Sequence, residues 1–350
     1  MYINRYVAIF VLNKKNLLNN LQIVRSKIHC NAKICVMIKA DAYSHGIVQV
    51  ATILCNIVDY FGVANVLEGV KVRKCGVKTP ILCVGYFSKE DAFIAKQYNI
   101  ELCIYNFECF DVLKSLKGPF SCHIKINTGM TRLGFEVCEI KKLKQALKIA
   151  KNIKINGIFS HFQDSLNNTE NTEKQFKKFI KVCSFLDERH NLIWHISNSD
   201  GVLNSKYNLD MVRVGMIIYG YGVIKGLKPV LQIKSEVIDI HKIKKGDSVG
   251  YDLYYKAKQD VEYIATIPFG YADGLDRRYS NCYIWINDCK YKIIGKICMD
   301  MCMVLVDENV KIGDTVIILK DAVTFAHFSK KSIYEVISNF KNLRSEIIIN

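Results

Sequence analysis

The chain has 350 residues, half of them apolar and 23% charged, enough for a large core in one large or two moderate domains and too apolar for a disordered or collagen-like chain. Its formal charge of +16 rests on 40 lysines, scattered as singles and pairs, against nine arginines. No basic block interleaved with aromatics appears, so a lysine-rich solvated surface is expected, with no nucleic-acid partner.

In chain order, the stretch 6–11 reads as a strand. From there to residue 221, eight short apolar runs (34–38, 61–64, 81–84, 101–104, 122–126, 155–160, 192–196 and 211–214) alternate with helix-period segments such as 140–149 and 176–186. Strands alternating with helices pair in parallel, because a parallel neighbour needs a crossover. Eight units are the number that closes a (β/α)8 TIM-like barrel, although periodicity alone also allows an open doubly wound sheet. After residue 222 the texture becomes β-rich, with runs at 231–240, 263–268, 282–286, 292–297, 301–306 and 315–319, turn pairs between them, and a helix near 331–340. The expected α/β architecture is a barrel over 14–221 followed by a mainly antiparallel β C-terminal domain over 222–350, which the N-terminal strand within 1–13 can join.

Several chemistries are excluded by their missing motifs. No phosphate-binding glycine loop, dinucleotide fingerprint, H-E-x-x-H, Cys/His quartet or G-x-S-x-G elbow is present, and Cys298-x-x-x-Cys302 alone is a poor metal site, so none is expected. The fourteen cysteines lack any C-x-x-C spacing and no basic-then-apolar leader opens the chain, which predicts free thiols in a reducing cytoplasm. No uncharged run approaches the roughly 20 apolar residues of a membrane span, so no membrane is expected.

What remains is cationic. Lys39 ends the first barrel strand, at the face where barrel enzymes place their chemistry. Its apolar flank would desolvate the amine and lower its pKa, as a lysine that forms an imine requires, although a lysine at a strand end more often snorkels. The fifth strand carries Lys125, and Arg132, beyond a Gly-containing loop, could hold a carboxylate with two hydrogen bonds. His161 follows the sixth strand, and Asn198-Ser199 the seventh. Arg213 lies inside the eighth, where a buried guanidinium requires partners.

Val36–Gly46, Lys125–Gly134, Asn198-Ser199 and Arg213-Val214-Gly215-Met216 in the first part, with Gly250–Tyr255, Gly270–Gly274 and Cys298-Met299-Asp300 in the second, resemble segments of the bacterial alanine racemases over nearly the whole chain. The resemblance implies pyridoxal 5′-phosphate on a barrel, held covalently by Lys39. Tyr43, Asn198, Ser199, Gly215 and Met216 would contact the cofactor, and Arg213 its pyridine nitrogen. It further implies that Arg132 meets the substrate carboxylate, supported by a Lys125 that is often carbamylated. Tyr251 would be a second base, donated with Met299 and Tyr271 across a homodimer whose two active sites are shared. Asp300, Arg277 and Tyr255 would support that rim. Without the resemblance, Tyr251 reads as an aromatic in a turn and Met299 as core.

The implied reaction interconverts L-alanine and D-alanine and supplies D-alanine for peptidoglycan. Inversion needs a proton to leave one face and return on the other, which two bases, Lys39 and Tyr251, would serve. Tyrosine is a weak acid, so Tyr251 needs cationic neighbours, and Arg132 and His161 are the candidates. Serine or broad-specificity racemisation is the alternative, since a small pocket rejects an added hydroxyl weakly. A decarboxylase of the same fold is disfavoured by Arg213, and a non-catalytic pyridoxal-phosphate carrier would leave the second domain unexplained. Three positions depart from the family pattern: Asp252 replaces a glycine, Asn127 an aspartate, and the stretch 341–346 lacks the customary Arg-Val-Pro.

Overall fold

The apolar runs of the first part leave little room for polar faces, as suits strands covered on both sides. In the computed structural model, which describes residues 7–350, β1 (Ile9–Leu12) precedes them. The runs themselves become β2 (Lys33–Met37), β3 (Tyr60–Val63), β4 (Ile81–Cys83), β5 (Glu101–Ile104), β6 (Phe120–Lys125), β7 (Ile153–Phe159), β8 (Ile193–His195) and β9 (Met211–Val214). Their order is β8-β7-β6-β5-β4-β3-β2-β9, with every neighbouring pair parallel. The ends meet where Asp210 N donates to Trp194 O at 3.2 Å and Arg213 N to Ser197 O at 3.0 Å. Those bonds close a barrel and exclude the open sheet.

The helices between the strands start at polar caps that take up an otherwise orphaned amide. Asn65, Asn106 and Asn168 each accept from the backbone three residues on, and Ser88 forms a reciprocal box with Asp91. The helix expected over 140–149 is Ile140–Ile149, while the one expected over 176–186 begins earlier, as Thr169–Leu186. This unit comprises Leu18–Ala42 and Ile47–Lys228.

The second unit gathers Val7–Leu17, Tyr43–Gly46 and Pro229–Asn350 of the described residues. Its strands are β10 (Leu231–Glu236), β11 (Asp239–Ile243), β12 (Ser248–Val249), β13 (Tyr255–Lys256), β14 (Glu262–Ile267), β15 (Tyr283–Ile286), β16 (Cys289–Ile294), β17 (Cys302–Val306), β18 (Thr315–Leu319) and β19 (Glu346–Ile349). Nine strands form one sheet in the order β11-β14-β17-β16-β15-β18-β10-β1-β19, and β12 pairs only with β13. All pairs are antiparallel except β1 with β19. The strand expected over 6–11 is β1, and its first residue, Tyr6, lies outside the described residues.

Two expectations need correction. The run 231–240 is two strands, because the chain changes neighbours within it: Val237 N donates to Asp314 O and Ile238 N to Thr266 O, each at 3.0 Å. The single helix near 331–340 is preceded by another, so the region holds Ala322–Ser329 and Ile333–Ile337. Lys330, left-handed at φ 54°, ends the first, and Ser332 caps the second by pairing reciprocally with Glu335.

Candidate active site

Lys39 stands two residues beyond β2, and the backbone after it turns the wrong way for L-residues. Ala40, Asp41, Ala42, Tyr43 and Ser44 all have φ between 52° and 65°. A left-handed turn costs roughly 1–2 kcal/mol per non-glycine residue, so several neighbours must over-determine it. Ala40 N donates to Glu68 Oε1 at 2.7 Å, Asp41 Oδ1 accepts from Ile47 N at 2.9 Å, and Ala42 N donates to Ile38 O at 2.9 Å. Tyr43, buried in this turn, has its phenol pKa raised by burial.

Around Lys39 the carboxyl ends of the barrel strands concentrate positive charge. Burial, then the charge of Arg132, lowers the pKa of Lys39, with Glu68 opposing and Arg213 adding. Lys125, the last residue of β6, is buried with Nζ 5.4 Å from the centre of the Phe159 ring. Burial brings it down to about 8; Cys103 opposes, while Arg213, Arg132 and Lys39 push the same way. Burial and these four cations hold His161 well below the usual histidine range, so it is neutral near pH 7. Arg213 Nη2 lies 3.3 Å from His161 Nδ1 and, as the obligate donor, leaves the ring proton on Nε2.

Arg213 has the partners that a buried guanidinium demands. Nη1 donates to His195 Nδ1 at 2.9 Å and to His195 O at 3.1 Å, Nη2 to Ser160 O at 2.6 Å and Ile196 O at 3.3 Å, and Cζ lies 5.2 Å from the centre of the Phe159 ring. Burial lowers its pKa to about 10. Among the described residues, no carboxylate lies within ion-pair distance of it.

Arg132 is exposed and makes no hydrogen bond or ion pair among the described residues. Its loop is shaped by Asn127, whose Oδ1 accepts from Gly129 N at 3.1 Å and Thr131 N at 2.9 Å, and whose Nδ2 donates to Glu136 at 2.7 Å. The neutral side chain that departs from the family pattern thus holds the loop backbone. After β8, Asn198 Oδ1 accepts from Ser165 Oγ and Gly201 N, both at 2.9 Å, and buried Ser199 accepts from Gly215 N at 3.1 Å, with Met216 half-buried beside it.

The second unit holds a separate group of expected residues. Tyr251 is 61% exposed and Met299 54%, so neither is core. Gly250 and Asp252 both have positive φ, 75° and 57°. Asp252 therefore takes the backbone conformation open to the glycine it replaces. Lys296 pairs with its side chain and lowers the carboxyl pKa. Arg277 Cζ lies 4.9 Å from the centre of the Tyr271 ring. Tyr271 N and Ala272 N donate to Cys298 O and Met299 O at 3.0 and 2.9 Å, so the two rim segments are laced together. Tyr255 is occupied elsewhere: its hydroxyl donates to Glu262 at 2.6 Å, and burial followed by that bond raises its pKa.

Family models match both parts of the chain: "Alanine racemase, N-terminal domain" over residues 12–223 and "Alanine racemase, C-terminal domain" over 230–348. The chain belongs to the alanine racemase family. It is 35% identical to the alanine racemase of Thermodesulfovibrio yellowstonii, with 94% of each chain covered, and 36% identical to that of Treponema denticola, covering 84% of this chain and 82% of that one. Its fold matches the solved alanine racemase of Clostridium difficile with a TM-score of 0.92 at 31% identity, covering 100% of this chain and 97% of that one. The structure of the Bacillus anthracis alanine racemase with bound L-Ala-P matches with a TM-score of 0.92 at 26% identity, covering 99% and 95%. The chain is thus an enzyme of the racemase class.

The alanine racemase resemblance left several residues unassigned. Arg344, in the stretch without Arg-Val-Pro, grips Asp273 and Asp300 on the rim. Glu101, His123 and His195 sit inside the barrel in a line of successive contacts that ends on Arg213. Their only sequence signal is polarity inside apolar strands. The left-handed turn after Lys39 has none in its own residues, which include Tyr43 and His45.

Proposed function

We propose that this protein is an alanine racemase that interconverts L-alanine and D-alanine with pyridoxal 5′-phosphate as its cofactor. The observation that carries the reading is the set of basic groups at one end of the barrel, where Lys39, Lys125, Arg132 and Arg213 perturb one another and His161. Such a site suits an anionic phosphate and a carboxylate, and the lowered pKa of Lys39 leaves more of its amine neutral for bonding to a carbonyl. The donor set fits the cofactor. Lys39 would hold it covalently, Tyr43, Asn198, Ser199, Gly215 and Met216 would contact it near its phosphate, and Arg213 would face its ring nitrogen.

When bound, pyridoxal 5′-phosphate supplies a conjugated ring that accepts the electron pair left when the α-proton departs. The chain's own groups do the rest. Arg132 binds the substrate carboxylate. Lys39 takes or returns the α-proton on one face, and Tyr251, donated by a second copy of the chain, does so on the other. Arg213 cannot readily give up a proton, so facing the ring nitrogen it would leave that atom unprotonated and restrain side reactions such as transamination. Tyr271 and Met299 line the rim, which Asp300 and Arg277 support, and His161 acts as a neutral partner of Arg213.

All fourteen cysteines are free thiols, consistent with a cytoplasmic enzyme, and no helix among the described residues is long and apolar enough to cross a membrane. D-alanine made there would serve peptidoglycan. The test is purified protein given pyridoxal phosphate and L-alanine, D-alanine or L-serine, followed by borohydride trapping and peptide mapping. The expected outcome is alanine racemisation above serine, with the cofactor trapped on the Lys39 peptide. Trapping on another lysine would remove Lys39 from its role, and serine turnover above alanine would move the enzyme to serine racemisation.

A further inference from the structure

A line of buried polar groups crosses the barrel interior and ends on Arg213. Glu101 opens β5, His123 lies in β6, His195 ends β8 and Arg213 lies in β9. Glu101 Oε2 is 2.8 Å from His123 Nε2, His123 Nδ1 is 2.8 Å from His195 Nε2, and His195 Nδ1 is 2.9 Å from Arg213 Nη1. Both imidazoles have 0% exposure, and His195 stacks on Phe159 at 4.9 Å. At the far end, Asn156 Nδ2 donates to Glu101 Oε1 at 3.0 Å, and the Tyr60 hydroxyl donates to the same oxygen at 3.4 Å.

The two ends dictate every proton between them. A guanidinium only donates, so His195 Nδ1 must carry a lone pair. A neutral imidazole bare at Nδ1 has its proton on Nε2, which therefore donates to His123 Nδ1. That nitrogen must be bare in turn, so His123 holds its proton on Nε2, the nitrogen 2.8 Å from Glu101 Oε2, where the carboxylate charge favours it although the two atoms are not aligned as a hydrogen bond. Reversing His195 sets a donor against a donor at the arginine and two bare nitrogens against each other between the rings, and reversing His123 alone sets two N–H groups against each other there.

We propose that Glu101 and His123 are positioning residues, which fix the tautomer of His195 and thereby hold the guanidinium of Arg213 toward the site. The functional part rests on the reading that Arg213 faces the cofactor. Among the described residues no carboxylate lies within ion-pair distance of Arg213, so Glu101 is the anion at the far end of this line of contacts. Without that charge, His123 is free to carry its proton on Nδ1. His195 would then be driven to protonate Nδ1 and repel the arginine it now accepts from.

The test uses full-length protein labelled with 15N-histidine, first without pyridoxal phosphate and then with it. Long-range 1H–15N spectra distinguish a protonated Nδ1 from a protonated Nε2. Wild type should show Nε2–H at both His123 and His195, and so should Glu101→Gln, whose amide oxygen can still present a negative end to Nε2. Glu101→Leu should lose the Nε2–H pattern at His195, a ring it does not touch, and lower kcat for both alanine enantiomers by roughly 10-fold or more, the size usual for losing a group that orients a functional side chain. KM should change little.

A wild-type spectrum with Nδ1–H at either ring overturns the proposal without any variant having to fold. So does a folded Glu101→Leu protein in which His195 keeps its pattern. Because the spectra are read first in the cofactor-free protein, failure of the relay is distinguishable from failure of the racemase reading, which would show as absent racemisation with intact tautomers.

Discussion

Arg344 closes a two-pronged ion pair on Asp273: Nη2 lies 2.8 and 2.7 Å from the two carboxylate oxygens, and Nε is 3.1 Å from the first. Asp273 is 2% exposed, whereas Asp300, which the same guanidinium reaches through Nη1 at 2.6 Å, is at the surface. One side chain near the C-terminus therefore joins segment 270–274, which carries Tyr271, to segment 298–300, which carries Met299. The chain lacks the family's Arg-Val-Pro stretch yet still places an arginine on the rim.

Arg344→Ala should leave a buried carboxylate short of its charged donors and destabilise the C-terminal unit by about 1–3 kcal/mol. The Gly270 amide, which donates to the same carboxylate at 3.0 Å, should exchange faster with solvent. Hydrogen exchange read residue by residue, together with thermal melting, checks both. Unchanged exchange at Gly270 would mean that the rim holds its shape without Arg344. Arg344→Lys should fall between the two proteins, since an ammonium keeps the charge but loses the fork.

Lys125, held at about 8, should take up carbon dioxide as pH rises. Its neutral amine attacks the carbon of CO2, a new N–C bond forms, and the displaced proton leaves to solvent. The resulting carbamate would give Arg132 an anion that neutral Asn127 does not provide. With 13C-bicarbonate, a carbamate signal should strengthen through pH 8 and be absent from Lys125→Ala, whose impaired activity acetate should partly restore. Full activity in Lys125→Ala without acetate would show that Arg132 is held by something else. Uncarbamylated protein supplies a separate sign check. The folded pKa lies below the ordinary lysine value of 10.5, so between about 8 and 10.5 the unfolded chain binds more protons, and stability contributed by this group should rise with pH there.

The barrel is legible because its strands are short apolar runs alternating with helix-period segments, several of which start at a polar cap, a pattern that survives into the structure with shifts of one or two residues. The cationic site was legible for a related reason: in a chain so rich in lysine, Arg132 and Arg213 stand out. Other features depend on long-range contacts that no local pattern records. The left-handed turn after Lys39 is held by Glu68 from another element, and the boundary between β10 and β11 exists because successive amides choose different neighbours. The Glu101–His123–His195 line joins residues far apart in sequence, and each alone reads as an ordinary polar residue. The lowered pKa of His161 is of the same kind, because a motif shows which residue is present and not the number of cations around it.

If Tyr251 and Met299 complete the site of a second copy, their exposure in the single chain is what a homodimer would cover. An inactive Lys39→Ala protein mixed with an inactive Tyr251→Phe protein should then regain activity, because one site of each heterodimer holds both bases. Subunit exchange followed independently, for instance by native mass spectrometry of isotope-labelled copies, makes a negative result meaningful. Exchange without recovered activity would rule out the shared site.

The two faces can be separated with solvent deuterium. If Lys39 serves D-alanine and Tyr251 serves L-alanine, Tyr251→Phe removes the base for one of two sequential proton transfers. Racemisation should slow by about 10²–10⁴-fold, the usual cost of losing an acid–base group. Exchange of the α-hydrogen need not fall with it. D-alanine presents its proton to Lys39, which is intact, so deuterium should still enter D-alanine in D2O. L-alanine presents its proton to the emptied face, and its exchange should collapse. Measuring deuterium incorporation into each enantiomer separately, in wild type and in Tyr251→Phe, distinguishes a slower enzyme from a one-sided one. Equal residual exchange from both enantiomers would mean that a single base, or a mobile water, reaches both faces. The role given to Tyr251 would then fall even with racemisation intact, since an exposed tyrosine on a left-handed loop would have no proton of its own to move.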